Sequence, residues 1–239
     1  MNILAARKMQ SVKQDHENYQ ESRMSRDPLP HQFIVVEGNI GAGKTTLTSK
    51  LAGDFGLRLI LEEFSDNPFL PFFYENPDRY AFPVELFFMT ERHKQLQEEL
   101  SQTQLFGEGI VADYLFLKTL LFAKNNLKPE EYRLFQRLFN ILNANFPKPD
   151  LLVYLHRPVE GLLDNIRKRG RGFEQKMDPN YLTQIQQAYF DFFKTSNEIP
   201  VVIIDVKDVD FVRYPEHYEK IVALIRQPYS AGMHHLSSE

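Results

Sequence analysis

Apolar residues recur along this chain in two rhythms. Short, mostly apolar runs at residues 33–37, 57–61, 109–112, 150–155 and 200–205 have the length and composition of strands buried on both faces. Between them apolar positions return every three or four residues, which predicts helices over 44–54, 78–102, 115–125, 129–143, 159–169, 179–197 and 215–226. Pro83 falls in the first turns of the long 78–102 helix, where proline is tolerated. Short strands alternating with helices predict an α/β fold, a five-stranded parallel sheet flanked by helices on both faces. Sheets of this kind bind ligands at the carboxyl ends of their strands. The motifs below all follow a strand or lie on a helix flanking that edge.

A chain of 239 residues holds one such domain with a substantial core, predicted here to span 31–226. Residues 1–30 are polar, carry both charge signs and end in Pro28-Leu29-Pro30; they and residues 227–239 are expected to be disordered tails. A metal site at His234-His235 would need further ligands, and none lies nearby in sequence. The absence of cysteine excludes disulfides, zinc–thiolate sites and cysteine nucleophiles, and fits a reducing compartment, most simply the cytoplasm. No apolar run is long enough to cross a membrane. A net charge of −4 argues against broad nucleic-acid binding, which needs a basic surface.

Directly after the first predicted strand, Gly38-Asn39-Ile40-Gly41-Ala42-Gly43-Lys44-Thr45 fits G-x-x-x-x-G-K-[ST] without a mismatch, and Thr46 follows it. Glycines let the backbone curl so that successive N–H groups face a phosphate, and the helix that follows adds its positive end. Lys44 is expected to bridge the β- and γ-phosphates of ATP, with the Thr45 hydroxyl on Mg²⁺. A glycine-rich turn without a ligand is the bland alternative, and the strand-loop-helix context argues against it. No N-K-x-D guanine motif is present, and His156-Arg157-Pro158 lacks the aspartate of a protein-kinase catalytic loop. A small-molecule kinase remains.

Four longer stretches carry a more specific likeness. They are Val36 to Thr46, Leu61-Glu62-Glu63-Phe64-Ser65-Asp66-Asn67-Pro68, Tyr74 to Tyr80, and Arg169-Gly170-Arg171-Gly172-Phe173-Glu174. From Phe33 to about Val212 the chain resembles the deoxynucleoside kinase family, which implies a P-loop kinase fold with an Arg-rich lid. The resemblance implies that Glu62 takes the proton from the substrate 5′-hydroxyl, and that Tyr74 and Glu174 hold the 3′-hydroxyl. It places Arg169 and Arg171 in a lid over the ATP phosphates, a task suited to the planar guanidinium. It also implies a homodimer. Glu63 stands where relatives often have proline, and Asn165 where some carry arginine. Ala112-Asp113-Tyr114 replaces the usual Asp/Glu-Arg-Ser and resembles the bacterial deoxyguanosine kinase branch; Asp113 is then the expected second Mg²⁺ residue.

Glu85 and Arg92 are seven residues apart, nearly two helical turns, so they share one face of the long helix. Both match base-reading positions of the family. Ionised glutamate offers only acceptors, which suits the two adjacent donors of guanine, while Arg92 and Lys118 suit its acceptors. Phe122 is the expected stacking ring. Deoxyguanosine is thus the first expected acceptor and deoxyadenosine the second. A simple Glu85–Arg92 salt bridge along the helix is the structural alternative. The rival functions are a nucleoside monophosphate kinase, whose acceptor phosphate Glu62 would repel, and a non-enzymatic nucleotide switch.

Overall fold

A computed structural model describes residues 26–62, 67–103, 109–144, 146–175 and 177–236 of the chain. The apolar runs form β1 (Phe33–Gly38), β2 (Arg58–Ile60), β3 (Ile110–Ala112), β4 (Leu151–His156) and β5 (Pro200–Asp205). The helices are α1 (Lys44–Phe55), α2 (Leu70–Glu75), α3 (Pro77–Thr103), α4 (Lys118–Asn126), α5 (Pro129–Asn143), α6 (Val159–Arg169), α7 (Pro179–Thr195) and α8 (Pro215–Ile225). A 3₁₀ turn spans Gly172–Glu174. Helix α2 was not expected, because its six residues are too few for a periodic signal.

The sheet has six strands in the order β2-β3-β1-β4-β5-β6, all parallel. The sixth, β6 (Gly232–Leu236), corrects the five-strand expectation and the reading of 227–239 as a tail. Its backbone pairs along β5 from Gly232 opposite Pro200 to Leu236 opposite Ile204. Met233 and His235 face solvent at the sheet edge, so its Gly-Met-His-His-Leu sequence has no continuous apolar run. The other predicted tail also differs from expectation at its inner end. Arg26 donates to both carboxylate oxygens of Glu219 on α8, at 3.1 and 2.7 Å, and Leu29 is buried. Residues 1–25 of that tail lie outside the described residues.

Alternation along each strand feeds two faces. Ile34 and Val36 of β1 pack with Leu47 and Leu51 of α1, Leu162 of α6 and Ile221 of α8. Phe33 and Val35 point the other way, toward Met89 of α3, Ala123 of α4 and Phe135 of α5. On that same side Tyr154 and Ile203 meet Ile185, Tyr189 and Phe193 of α7. The larger of these buried side chains contribute roughly 1.5–3 kcal/mol each of apolar burial, which fixes the strand ends in space. From β1 the chain builds β2 and β3 on one side and then β4 to β6 on the other. The carboxyl end of β1 is therefore the topological switch point where a ligand crevice opens. Among the described residues no helix is long and apolar enough to cross a membrane.

Candidate active site

The loop from Gly38 to Thr45 leaves β1 at that switch point. Gly41 has φ +83°, and a Cβ there would lie 2.7 Å from the Leu162 carbonyl oxygen, so the loop's approach to α6 requires glycine. Gly43 precedes α1 with φ 99° and caps it with no side chain, which leaves the first N–H groups of the helix open toward the loop. Asn165 donates to the Gly41 carbonyl at 2.8 Å, and Asn39 donates to the Leu182 carbonyl at 2.7 Å, so α6 and α7 both brace the curl. The Lys44 ammonium folds over the loop and donates to the carbonyls of Gly38 at 2.9 Å and Asn39 at 3.1 Å. Enclosure and then the charge of Lys118 push its pKa down to about 8, against the pull of Glu37, Glu62 and Asp113. A phosphate there would replace carbonyl dipoles with full negative charge.

Asp113, just past β3, joins two parts of the site. Its Oδ2 accepts the Thr45 hydroxyl at 2.6 Å and its Oδ1 accepts the Glu62 backbone N–H at 2.7 Å. Glu62, just past β2, is buried together with two cations. Arg92 donates to Oε1 through Nε at 2.8 Å and also through its terminal nitrogen, and Lys118 donates to Oε2 at 2.6 Å. Burial alone would raise the Glu62 pKa, but Arg92 and Lys118 outweigh it and hold the carboxyl down at about 2. This placement departs from the expectation that Arg92 and Lys118 read the base. The helix-face salt bridge does not form either: Arg92 gives its remaining hydrogen bond to Thr119 at 3.1 Å, and Glu85 is held by Asn126. Glu63 and Asp66 lie outside the described residues.

Two cavities meet at Lys44, Arg169 and Arg171. The larger encloses about 1530 Å³ counting its open mouth; Gly41 to Thr46, Asp113 and Asn165 line it, with Phe211 and Val212 opposite. The smaller, about 650 Å³ on the same reckoning, is lined by Tyr74, Glu85, Arg92, Lys118, Phe122 and Glu174 among others. The residues expected to hold the sugar and base of the acceptor therefore share one chamber, while Glu62 lies behind its Arg92 and Lys118 wall. Arg169 pairs with Glu174, and Arg171 lies 3.5 Å from the same carboxylate, so the lid is folded onto the smaller cavity. Burial, then the Glu174 charge, raise the Tyr74 phenol above its ordinary value, which keeps it a neutral donor. Glu85 is buried; Asn126 donates to its Oε1 at 2.6 Å, and its Oε2 has no partner.

Several site residues were not anticipated. Phe88 lines the smaller cavity between Glu85 and Arg92, and the i, i+3, i+7 spacing was a signal for it. Asn126 and Tyr181 also line it, and Asn126 donates to the Tyr181 hydroxyl at 3.3 Å. Glu37 is a buried carboxylate at the end of β1, fixed by the Tyr189 hydroxyl and the Leu115 N–H, both at 2.8 Å. A lone charge inside an apolar strand was its signal.

A sequence model of the deoxynucleoside kinase family matches residues 34–228. The chain is 35% identical over 199 residues to a deoxyguanosine kinase of Bacillus subtilis, covering 82% of this chain and 96% of that protein. It is 31% identical over 200 residues to a deoxyadenosine/deoxycytidine kinase of the same organism, covering 80% and 90%. With a deoxyadenosine kinase of Lactobacillus acidophilus it shares 32% over 192 residues, covering 76% and 88%. Among solved structures, the deoxyadenosine kinase from M. mycoides with bound dATP superposes with a TM-score of 0.70 at 24% identity, covering 82% of this chain and 100% of that one. That last likeness is one of fold.

Proposed function

The chain belongs to the deoxynucleoside kinase family and is a deoxynucleoside kinase, and from that premise we propose that it moves the γ-phosphate of ATP onto the 5′-hydroxyl of a purine deoxynucleoside, deoxyguanosine ahead of deoxyadenosine. The observation that carries this reading is the shared chamber. Glu85, Arg92 and Lys118 line one cavity that joins the phosphate loop at Lys44, Arg169 and Arg171, and Glu62 sits directly behind that wall, paired with Arg92 and Lys118.

In this reading the loop amides and Lys44 hold the β- and γ-phosphates in the larger cavity, with the purine of ATP toward Phe211 and Val212. Thr45 and Asp113 are hard oxygen donors side by side at the loop, a set that fits Mg²⁺ with its preference for oxygen, water and phosphate. When bound, that ion would supply positive charge to the phosphate oxygens. Glu62 accepts the 5′-hydroxyl proton, and Arg169 and Arg171 neutralise charge on the transferring group. Tyr74 and Glu174 hold the 3′-hydroxyl, the Tyr74 ring leaves little room for a 2′-hydroxyl, and the base stacks on Phe122.

Glu85 supports the guanine preference, because an unpartnered buried carboxylate oxygen calls for a donor and guanine offers two side by side. With their charges committed to Glu62, Arg92 and Lys118 serve the reacting end rather than the base. Leu134 and Ile141, 51% and 72% exposed and two turns apart on α5, offer an apolar face for pairing two copies into the homodimer. The test is ATP turnover against the four natural deoxynucleosides and their ribose counterparts. Deoxyguanosine should give the highest kcat/KM, and a preference for deoxycytidine or thymidine would overturn the substrate reading.

A further inference from the structure

The wall of the smaller cavity that meets the base contains a carboxyl group whose two oxygens are unlike. Oε1 of Glu85 accepts the Asn126 amide at 2.6 Å, whereas Oε2 is buried with no partner. In this orientation the amide's other contacts are also satisfied. Its Nδ2 also donates to the Tyr181 hydroxyl at 3.3 Å, and its Oδ1 accepts from Asn125 at 3.3 Å. A proton on Glu85 therefore belongs on Oε2, since Oε1 already receives an N–H. We propose that Glu85, oriented by Asn126, selects the base through its own protonation: ionised it reads guanine, and protonated it reads adenine or cytosine. This rests on the reading of the smaller cavity as the nucleoside site.

The complementarity follows from the edges of the bases. Guanine presents a ring N–H beside an amino group, two donors that fit the two acceptors of a carboxylate. Adenine and cytosine present an amino donor beside a ring acceptor. A carboxylic acid offers C=O for the first and O–H for the second, the same pattern as a glutamine amide. Either mismatch leaves a buried polar group unpaired, which is the strong form of discrimination available to an enzyme.

The surroundings leave both protonation states within reach. On its own helix Glu85 faces Arg92, and from α4 it faces Lys118 and Asn126. Tyr74 of α2 and Tyr181 of α7 flank it, and Glu174, Arg169 and Arg171 of the lid line the same chamber. The two nearest cations share the Glu62 carboxylate, whose charge offsets part of their pull on a second carboxylate. Burial then dominates and pushes the Glu85 carboxyl up to about 7, with Asn126 and Arg92 opposing it.

The experiment measures kcat/KM for deoxyguanosine and deoxyadenosine at saturating ATP, from about pH 6 to about pH 8, where neither free base titrates. Titrations of the phosphate loop, of Glu62 and of ATP act on both substrates and cancel in the ratio. One proton separates the two competent forms, so the deoxyguanosine/deoxyadenosine ratio should rise about tenfold per pH unit whatever the pKa. Glu85→Gln fixes the donor–acceptor pattern, so its ratio should be low and flat with pH. Asn126→Ala removes the bond that favours the carboxylate; its line should keep the slope but shift toward deoxyadenosine by roughly tenfold, the worth of one charge-assisted hydrogen bond. A wild-type ratio constant with pH, or a slope that survives in Glu85→Gln, overturns the selector while leaving the deoxyguanosine reading intact. Absence of deoxyguanosine turnover at every pH overturns both.

Discussion

Replacing Glu62 by glutamine should damage catalysis and stability by amounts that can be separated. The side chain keeps its shape, but a carboxylate that is 1% exposed and engaged by two cations becomes a neutral amide. Loss of the acceptor for the 5′ proton should lower kcat by about 10²-fold or more. Separately, Arg92 and Lys118 lose their counter-charge inside the protein, a defect of about 3–5 kcal/mol. The pKa of Glu62 gives a figure of the same size: a fall from 4.5 to about 2 corresponds to ~3 kcal/mol of preference for the charged form. The folded value is depressed, so this stabilisation is present above the ordinary carboxylate range and is lost as pH falls toward 2.

Two measurements resolve the two effects. Single-turnover phosphoryl transfer at saturating ATP and deoxyguanosine reads the chemistry, and urea unfolding of the ligand-free protein reads stability. A Glu62→Gln, Lys118→Met double variant removes one stranded cation. It should recover about 1–2 kcal/mol of stability relative to Glu62→Gln and none of the lost kcat. If Glu62→Gln retains kcat within about threefold of wild type, Glu62 is not the proton acceptor. If the double variant regains turnover along with stability, Glu62 is only a counter-ion for its neighbours.

Asp113→Asn keeps a carbonyl oxygen for the Glu62 N–H but removes the charge beside Thr45, so the Mg²⁺ concentration for half-maximal rate should rise at least ~10-fold with stability nearly unchanged. An unaltered Mg²⁺ titration of initial rates would remove Asp113 from the metal site. Tyr74→Ala opens the wall beside the sugar and should raise the ribose-to-deoxyribose ratio of kcat/KM by roughly tenfold. Unchanged discrimination between guanosine and deoxyguanosine would take Tyr74 out of the sugar pocket.

The parts of this molecule that were legible in sequence are those specified by local pattern. β5 and α6 begin and end where the apolar runs and their flanking Pro and Gly residues put them. The phosphate loop was readable because its glycine spacing is imposed by contacts as tight as that of Gly41 with Leu162. β6 was missed because an edge strand with alternating exposure looks like a tail. The pairing of Arg92 with Glu62 was missed for a geometric reason. Helical spacing put Glu85 and Arg92 on one face, but seven residues rise about 10.5 Å along the axis, beyond the reach of one ion pair. Each therefore meets a different neighbour, Asn126 from α4 or the end of β2, and sequence spacing within α3 holds no information about either.

A carboxyl group held near 2 is a weak base, and the proposal that Glu62 takes the 5′-hydroxyl proton has to be reconciled with that weakness. Phosphoryl transfer through a loose transition state makes little demand on nucleophile strength, and the 5′-hydroxyl proton becomes acidic only as the new P–O bond forms. What the reaction needs is an acceptor that is ionised and already aimed. Arg92 and Lys118 give up basicity in Glu62 for certainty of charge and for a fixed orientation, one cation on each oxygen. Asp113 adds alignment, since one of its oxygens holds the Glu62 backbone and the other the Thr45 hydroxyl. On the proposed roles, acceptor and phosphate ends are tied to a single carboxylate, so a displacement of either end is felt at the other.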